Sequence, residues 1–258
     1  MSYKSVNIIS SRVTTALRAR QYATVTAETT NFPSDWRFDS HKADFLRHAA
    51  AKGTMVLPSR QKGEGLGRPE ITTQRSTGSY AVLVPFCTVK GIPSVLFTLR
   101  SSNLAKHRGE ISFPGGKSDP TDKDVIHTAL RETQEEIGVP VQSTDIWTTL
   151  PPMPTRDGAM LSAVVGYTGD VSMDEFKPNP TEVEEIFTCS MASLLNPENV
   201  RYTSFRTRHG LRLPVFVVND GITSRRIWGM TAVILLNVLQ CFEPGFCLGC
   251  FGKVKMIK

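Results

Sequence analysis

No stretch of this 258-residue chain reaches the 18 or more apolar residues that a membrane-crossing helix needs. The longest apolar run, Met230 to Leu239, is interrupted by Asn237 and followed by Gln240, so it reads as a buried helix. Cysteine is sparse and odd in number: Cys87, Cys189, Cys241, Cys247 and Cys250. That set argues against a secreted disulfide framework. Cys247 and Cys250 form a C-x-x-C pair, but a zinc site needs a second pair of ligands and none is nearby. Acids are almost missing from residues 1–30, where Lys4, Arg12, Arg18 and Arg20 face only Glu28. That segment carries half of the net charge of +6. The remaining excess is unremarkable: it calls for no nucleic-acid partner and would serve a phosphate-rich small molecule.

The same segment lacks the long apolar core of a secretory signal. Ile8, Ile9, Val13 and Leu17 lie at helical spacings among Arg, Ser and Thr, which suits an amphipathic mitochondrial transit peptide. Arg20-Gln21-Tyr22-Ala23 resembles a matrix-processing site cut before Ala23. A disordered tail is the competing reading. The chain ends Met256-Ile257-Lys258, not in the peroxisomal S-K-L. The expected division is a transit peptide over 1–22, an extension and linker over 23–78, a main domain over 79–240 and an irregular tail over 241–258.

Asp39 to Lys52 reads as a helix with Phe45, Leu46 and Ala49 inward. Residues 58–78, rich in Gly and Pro, read as a linker. Tyr80–Val89 and Ser94–Leu99 read as central strands joined at Gly91-Ile92-Pro93, and Ile111–Phe113 as a short strand. Further strands are expected at Thr144–Leu150, Ala159–Tyr167 and Arg212–Val218. Arg226–Leu239 reads as a strand or turn plus helix, with Trp228 and Met230 in the core. The mix implies a mixed sheet flanked by helices.

The informative stretch is Gly115 to Val139. Phe113-Pro114 should end a strand, and Gly115-Gly116 should make a loop whose backbone N–H groups can approach a ligand. Asp119-Pro120-Thr121-Asp122 reads as a turn ending in a helix N-cap, followed by a helix from about Lys123 to Ile137 that Gly138 stops. Val125, Ala129, Thr133 and Ile137 share one face, assigned to the core. Glu132, Glu135 and Glu136 crowd another, about 5–6 Å apart between Cβ atoms. Three such carboxylates repel, and a hard cation such as Mg²⁺ or Mn²⁺ with oxygen ligands would relieve them. Taken alone, the string also fits a solvated acidic face with Arg131 pairing to Glu135. Upstream, Arg100, Lys106, His107 and Arg108 give the loop 100–110 a cationic character that fits phosphates or an ordinary solvated loop equally. Glu182, Glu184 and Glu185 read as a solvated acidic turn, with a catalytic or supporting Glu as the alternative.

At these residues the chain resembles the Nudix hydrolases. Gly116 followed by Arg131-Glu132-Thr133-Gln134-Glu135-Glu136-Ile137-Gly138-Val139 is similar to the Nudix box. The usual box places a Glu in the loop and one residue fewer before the Arg; here the loop carries Asp119 and Asp122. The longer spacing is typical of the coenzyme A diphosphatase branch. Its upstream signature resembles Leu96-Phe97-Thr98-Leu99-Arg100-Ser101, then His107-Arg108-Gly109-Glu110, then Phe113-Pro114-Gly115-Gly116. The likeness spans roughly residues 80–240 and is strongest to the vertebrate mitochondrial member. It departs at Ala105, where the pattern has Arg; Lys106 is the nearest cation.

The resemblance implies an α/β (α+β) chain with the Nudix fold, an α/β/α sandwich with a mixed sheet. It implies metal-dependent hydrolysis of coenzyme A or acyl-CoA at the pyrophosphate bond, giving 3′,5′-ADP and (acyl-)4′-phosphopantetheine. Glu132, Glu135 and Glu136 would hold the metal and carry catalysis. Arg100, His107, Arg108, Gly115, Gly116 and Lys117 would bind substrate, with Arg131 and Gly138 in support. Two other expectations stay open: a Nudix enzyme for ADP-ribose, NADH or an RNA cap, and a non-catalytic nucleotide-binding module.

Overall fold

The computed structural model describes residues 22–25, 37–38, 40–51, 78–138, 144–155, 157–204, 212–219, 223–243 and Phe246. All of the linker expected over 58–78 except Gly78, and the Cys247–Cys250 pair, lie outside them. Strands β1 (Tyr22–Val25), β2 (Ser79–Val89), β3 (Ile92–Arg100), β6 (Asp145–Thr149), β8 (Met160–Asp170) and β9 (Val183–Ser190) form one sheet, in the order β1-β9-β3-β2-β8-β6. It is mixed, since β2 runs parallel to β8 and β1 parallel to β9. β7 (Met153–Pro154) pairs with β8 just beyond Pro151 and Pro152, which follow β6 and Leu150.

The β2–β3 hairpin turns at Lys90-Gly91, so Ile92 and Pro93 belong to β3, opposite Val89 and Thr88. The two strands pair only near this turn, over Phe86–Val89 and Ile92–Val95. Toward the other end they splay, and residues 111–117 fill the gap. β4 (Ile111–Ser112) pairs with Thr98 and Leu99 of β3, while β5 (Gly115–Lys117) pairs with Tyr80–Val82 of β2. The Leu83 N–H donates to the Pro114 carbonyl at 2.9 Å. The glycine pair is therefore a strand wedged into the sheet, not the loop expected.

Strict alternation along β2 sorts its side chains between the two faces. Ala81 and Leu83 meet Ala129 and Val164 beneath helix α2 (Val125–Ile137), with Val125, Ile126 and Leu130 at the margin. Val84 and Phe86 point to the opposite face. There they join Phe97 and Phe187, helix α1 (Ser40–Ala51), the short helix α3 (Met191–Leu194) and helix α4 (Gly229–Phe242). A second, three-stranded sheet of β10 (Val200–Ser204), β11 (Arg212–Asn219) and β12 (Ser224–Ile227) covers that face with them. Only β11 of this trio and a strand-or-turn at Arg226 were expected. The result is the α/β/α sandwich; among the described residues α2 covers one side, with the turn at Met173–Phe176 packed beside its end. Each large side chain buried there contributes roughly 1.5–3 kcal/mol.

Helix α1 belongs to this core. Leu46 is fully buried, Phe38 packs edge-on to Phe86 at 5.1 Å, and Arg47 Nε donates to the Trp147 carbonyl at 3.0 Å. The helix expected at Met230–Leu239 is α4, wholly apolar along Ala232–Leu236. Among the described residues no helix is long and apolar enough to cross a membrane.

Candidate active site

Helix α2 begins two residues later than the sequence indicated. Its N-cap is Asp124, whose carboxylate accepts from the His127 N–H at 2.7 Å. Gly138 ends it at φ 71, a left-handed position, and its N–H returns to the Gln134 carbonyl. A Cβ there would also stand 2.5 Å from the Lys177 carbonyl oxygen. Lys177 N–H donates to Ile137 O at 2.8 Å, and Asn179 N–H to Glu136 O at 2.9 Å. The end of α2 is thus stitched to the segment that leads through Glu182 into β9.

Asp122, freed from capping, does something the sequence did not reveal. It grips Arg131 with both oxygens, Nε to Oδ1 at 2.9 Å and Nη2 to Oδ2 at 2.8 Å. It also accepts from the Asp119 N–H and the Thr128 hydroxyl, and pairs with His127 Nδ1 at 2.8 Å. Arg131 and these further donors hold its carboxyl far below the usual range. Arg131 Nη1 then reaches Glu132 Oε1 at 2.9 Å and Glu135 Oε1 at 3.4 Å, while Nη2 reaches the Lys117 carbonyl at 3.2 Å. The one signal for this clamp was an Asp six residues after Gly116, in the loop where the box has a Glu.

The three glutamates differ. Glu135 has a 58% exposed side chain. Glu132 is half-buried, and its carboxylate lies so close to Gly116 that a Cβ there would fall 2.1 Å from Oε2. Burial raises its pKa, against the pull of Arg131. Glu136 is enclosed. Its Oε2 accepts from the Gly115 N–H at 3.3 Å, and its Oε1 sits 3.6 Å from Arg100 Nη1. Burial pushes its carboxyl up to about 8; Gly115 and Arg100 pull down, while Glu182 and Glu132 push the same way as burial. Glycines at 115 and 116 thus serve close approach: a Cβ on Gly115 would strike the Ala81 carbonyl oxygen at 2.3 Å.

Arg100 closes β3 at a register shift: Leu99 faces Glu185 of β9, and Arg100 faces Val183. Its Nε is buried without a hydrogen-bond partner. The loop beyond it folds back, with Arg100 N–H donating to Glu110 O at 3.0 Å and Ser101 N–H to Glu182 O at 2.8 Å. His107 sits on that loop at φ 56, its exposed ring paired to Glu110 at 3.0 Å; Lys106, Arg108 and Lys117 are exposed. The acidic turn separates by role. Glu185 forms a two-bond pair with Arg225 at 2.8 Å, Glu184 accepts from the Ser102 N–H, and Glu182 is the one felt by Glu132 and Glu136. Among the described residues no three His, Cys, Asp or Glu side chains already form a metal cage. Glu132 and Glu135 are turned toward Arg131 instead.

The NUDIX domain matches residues 79–208. The chain belongs to the Nudix family. It is 44% identical over 184 residues to mouse mitochondrial coenzyme A diphosphatase NUDT8, covering 70% of this chain and 86% of the mouse protein. To the human protein of the same name it is 45% identical, over 65% of this chain and 70% of that one. Nudix hydrolase 3 of Caenorhabditis elegans is 34% identical, over 67% of this chain and 77% of the worm protein. On this Nudix scaffold four places in the sequence converge: Arg100, Gly115-Gly116, the glutamates of α2, and Glu182, which the sequence read as part of a solvated turn.

Trp228 is not in the core. It is 39% exposed, between β12 and α4. Arg225 and Ile227 are the side chains of that strand that turn inward. Met230 packs against the core as expected.

Proposed function

We propose that this chain hydrolyses the pyrophosphate bond of coenzyme A and acyl-CoA, releasing 3′,5′-ADP and (acyl-)4′-phosphopantetheine. One observation carries the reading: Glu136 is buried between Arg100 and Gly115, short of positive charge, at the point where the two residue groups of the coenzyme A diphosphatase pattern meet. The identity to two mammalian coenzyme A diphosphatases supports the choice of substrate.

The residues fit a hard divalent cation. The donors are carboxylate oxygens, the chemistry Mg²⁺ and Mn²⁺ prefer. Glu136 and Glu132 both have raised pKa values from burial, so charge is wanting at the site. Glu132, Glu135 and Glu136 would hold the cation, which when bound would neutralise diphosphate charge and make water more acidic. Arg100, with its unpartnered Nε, supplies a fixed donor to a phosphate oxygen. The exposed cations Lys106, His107, Arg108 and Lys117 draw the polyanion to the mouth. Asp122 and Arg131 hold Glu132 in place, and Glu182 stands by as a further carboxylate able to take a proton.

We place the protein in mitochondria, in the matrix, with residues 1–22 as a transit peptide; the names of both mammalian relatives support the compartment. The expected cut before Ala23 would leave Ala23–Val25 to pair with Phe187–Cys189. The test is turnover of purified protein with Mg²⁺ or Mn²⁺ against coenzyme A, acyl-CoA, ADP-ribose, NADH and capped RNA. Cleavage of coenzyme A to 3′,5′-ADP ahead of the others is the expected result. Preference for a substrate without the 3′-phosphate would overturn the assignment.

A further inference from the structure

A single exposed aromatic ring is ordinary on a protein surface. Trp228 is set apart by what lies beside it. Along β12 the alternation is regular: Arg225 and Ile227 are buried, while Ser224 and Arg226 are exposed, and Trp228 continues the outward row. A cation and an indole two residues apart therefore emerge on one face of an edge strand. That strand lies against β4. The Thr231 hydroxyl, in the first turn of α4, donates to the Ile111 carbonyl at 3.2 Å and fixes the junction there. Ile111 is four residues before Gly115, a reach of at most about 14 Å of extended chain. Arg225 anchors the strand from within, paired to Glu185 and 4.2 Å over the Phe187 ring.

We infer that Trp228 and Arg226 form the nucleotide end of the substrate site, Trp228 stacking on the adenine ring and Arg226 pairing with the ribose 3′-phosphate. An indole face gives a base a broad stacking surface, and a guanidinium matches phosphate geometry with two parallel donors. The stacking half asks only for an adenine nucleotide. The Arg226 half rests on the coenzyme A reading, because among the candidate substrates that ligand carries the 3′-phosphate.

The test is calorimetric binding of 5′-AMP and 3′,5′-ADP to the wild type, Trp228→Ala, Trp228→Phe and Arg226→Ala, each with a melting curve. Trp228→Ala should weaken both nucleotides by about tenfold, within the range for losing one stacked base. Trp228→Phe, which keeps a ring, should recover most of that loss. Arg226→Ala should weaken 3′,5′-ADP while leaving 5′-AMP unchanged. Unaltered binding of both nucleotides to Trp228→Ala, or a loss in Trp228→Phe as large as in Trp228→Ala, would overturn the stacking; equal weakening of 5′-AMP and 3′,5′-ADP by Arg226→Ala would overturn the phosphate contact. Should the wild type hydrolyse ADP-ribose and not coenzyme A, the substrate reading falls alone; the 5′-AMP series still judges Trp228.

Discussion

Arg131 and Arg100 each face a carboxylate almost closed to solvent: Asp122, with a side chain 2% exposed, and Glu136, with one 4% exposed. The two pairs flank the same helix and have opposite electrostatics. Asp122 is saturated by an arginine fork, a backbone N–H, a hydroxyl and an imidazole, and stays ionised well into acid. Glu136 has one long backbone contact and an arginine 3.6 Å away, beyond hydrogen-bonding distance, and burial lifts its carboxyl to about 8. A buried ion pair repays its desolvation only when geometry is good and the remaining lone pairs are satisfied. The first pair meets that condition and holds the architecture. The second does not, and its shortfall is what a cation and a diphosphate would make good.

Glu136→Gln should cut coenzyme A hydrolysis at least a hundredfold, an effect of the size seen when preorganised charge is removed from a site, with the circular dichroism spectrum unchanged. Full metal-dependent activity in that variant would erase the distinction between the pairs. Gly116→Ala comes next, because its Cβ would fall on the Glu132 carboxylate. Turnover should drop by more than about tenfold with the melting temperature little changed, since a carboxylate can swing where backbone cannot. Asp122→Asn keeps the shape and removes the charge from the saturated pair. It should lower the melting temperature and weaken Mn²⁺ affinity by roughly tenfold, as loss of an outer partner of metal ligands does; a stable variant with native affinity would mean Arg131 needs no clamp.

Stability against pH sharpens the contrast further. A carboxyl whose pKa rises from 4.5 to about 8 on folding stabilises the folded state fully below 4.5, and that contribution is lost as pH rises through about 8. Metal-free wild type should therefore lose several degrees of melting temperature relative to Glu136→Gln between pH 5 and pH 8. Parallel curves would show that Glu136 is not buried as a neutral acid. Leu46→Ala is the control outside both pairs: about 3 kcal/mol of stability lost from the core under α1, and unchanged turnover per folded molecule.

What the sequence revealed was local. The α2 face of Ala129, Thr133 and Ile137, its stop at Gly138 and the strands 79–89 and 92–100 follow from periods and terminators that neighbouring residues impose. What it hid was decided at long range. Asp122 and Asp124 are equally good caps in isolation; Arg131, nine residues on, takes Asp122 and leaves the cap to Asp124. Gly115-Gly116 has loop composition, and becomes a strand because β2 and β3 splay and leave unpaired backbone for it. β10 and β12 are short and polar, with only Val200 and Tyr202 in the one and Ile227 in the other as apolar positions, too few to announce a strand; their partner β11 makes them strands. Trp228 looked like core by residue type, and faces outward because Arg225 and Ile227 take the inward positions of β12. The functional split within Glu182, Glu184 and Glu185 was equally invisible, since only Arg225, forty residues on, marks Glu185 as structural.

The claim that Glu136 awaits a cation is tested most directly by calorimetric titration of the protein with Mn²⁺ at pH 7 in two buffers of different ionisation enthalpy. Binding should release close to one proton in the wild type, because the buried carboxyl must ionise to become a ligand. Glu136→Gln should bind far more weakly and release almost none. Equal affinity and equal proton release in the two proteins would contradict the account.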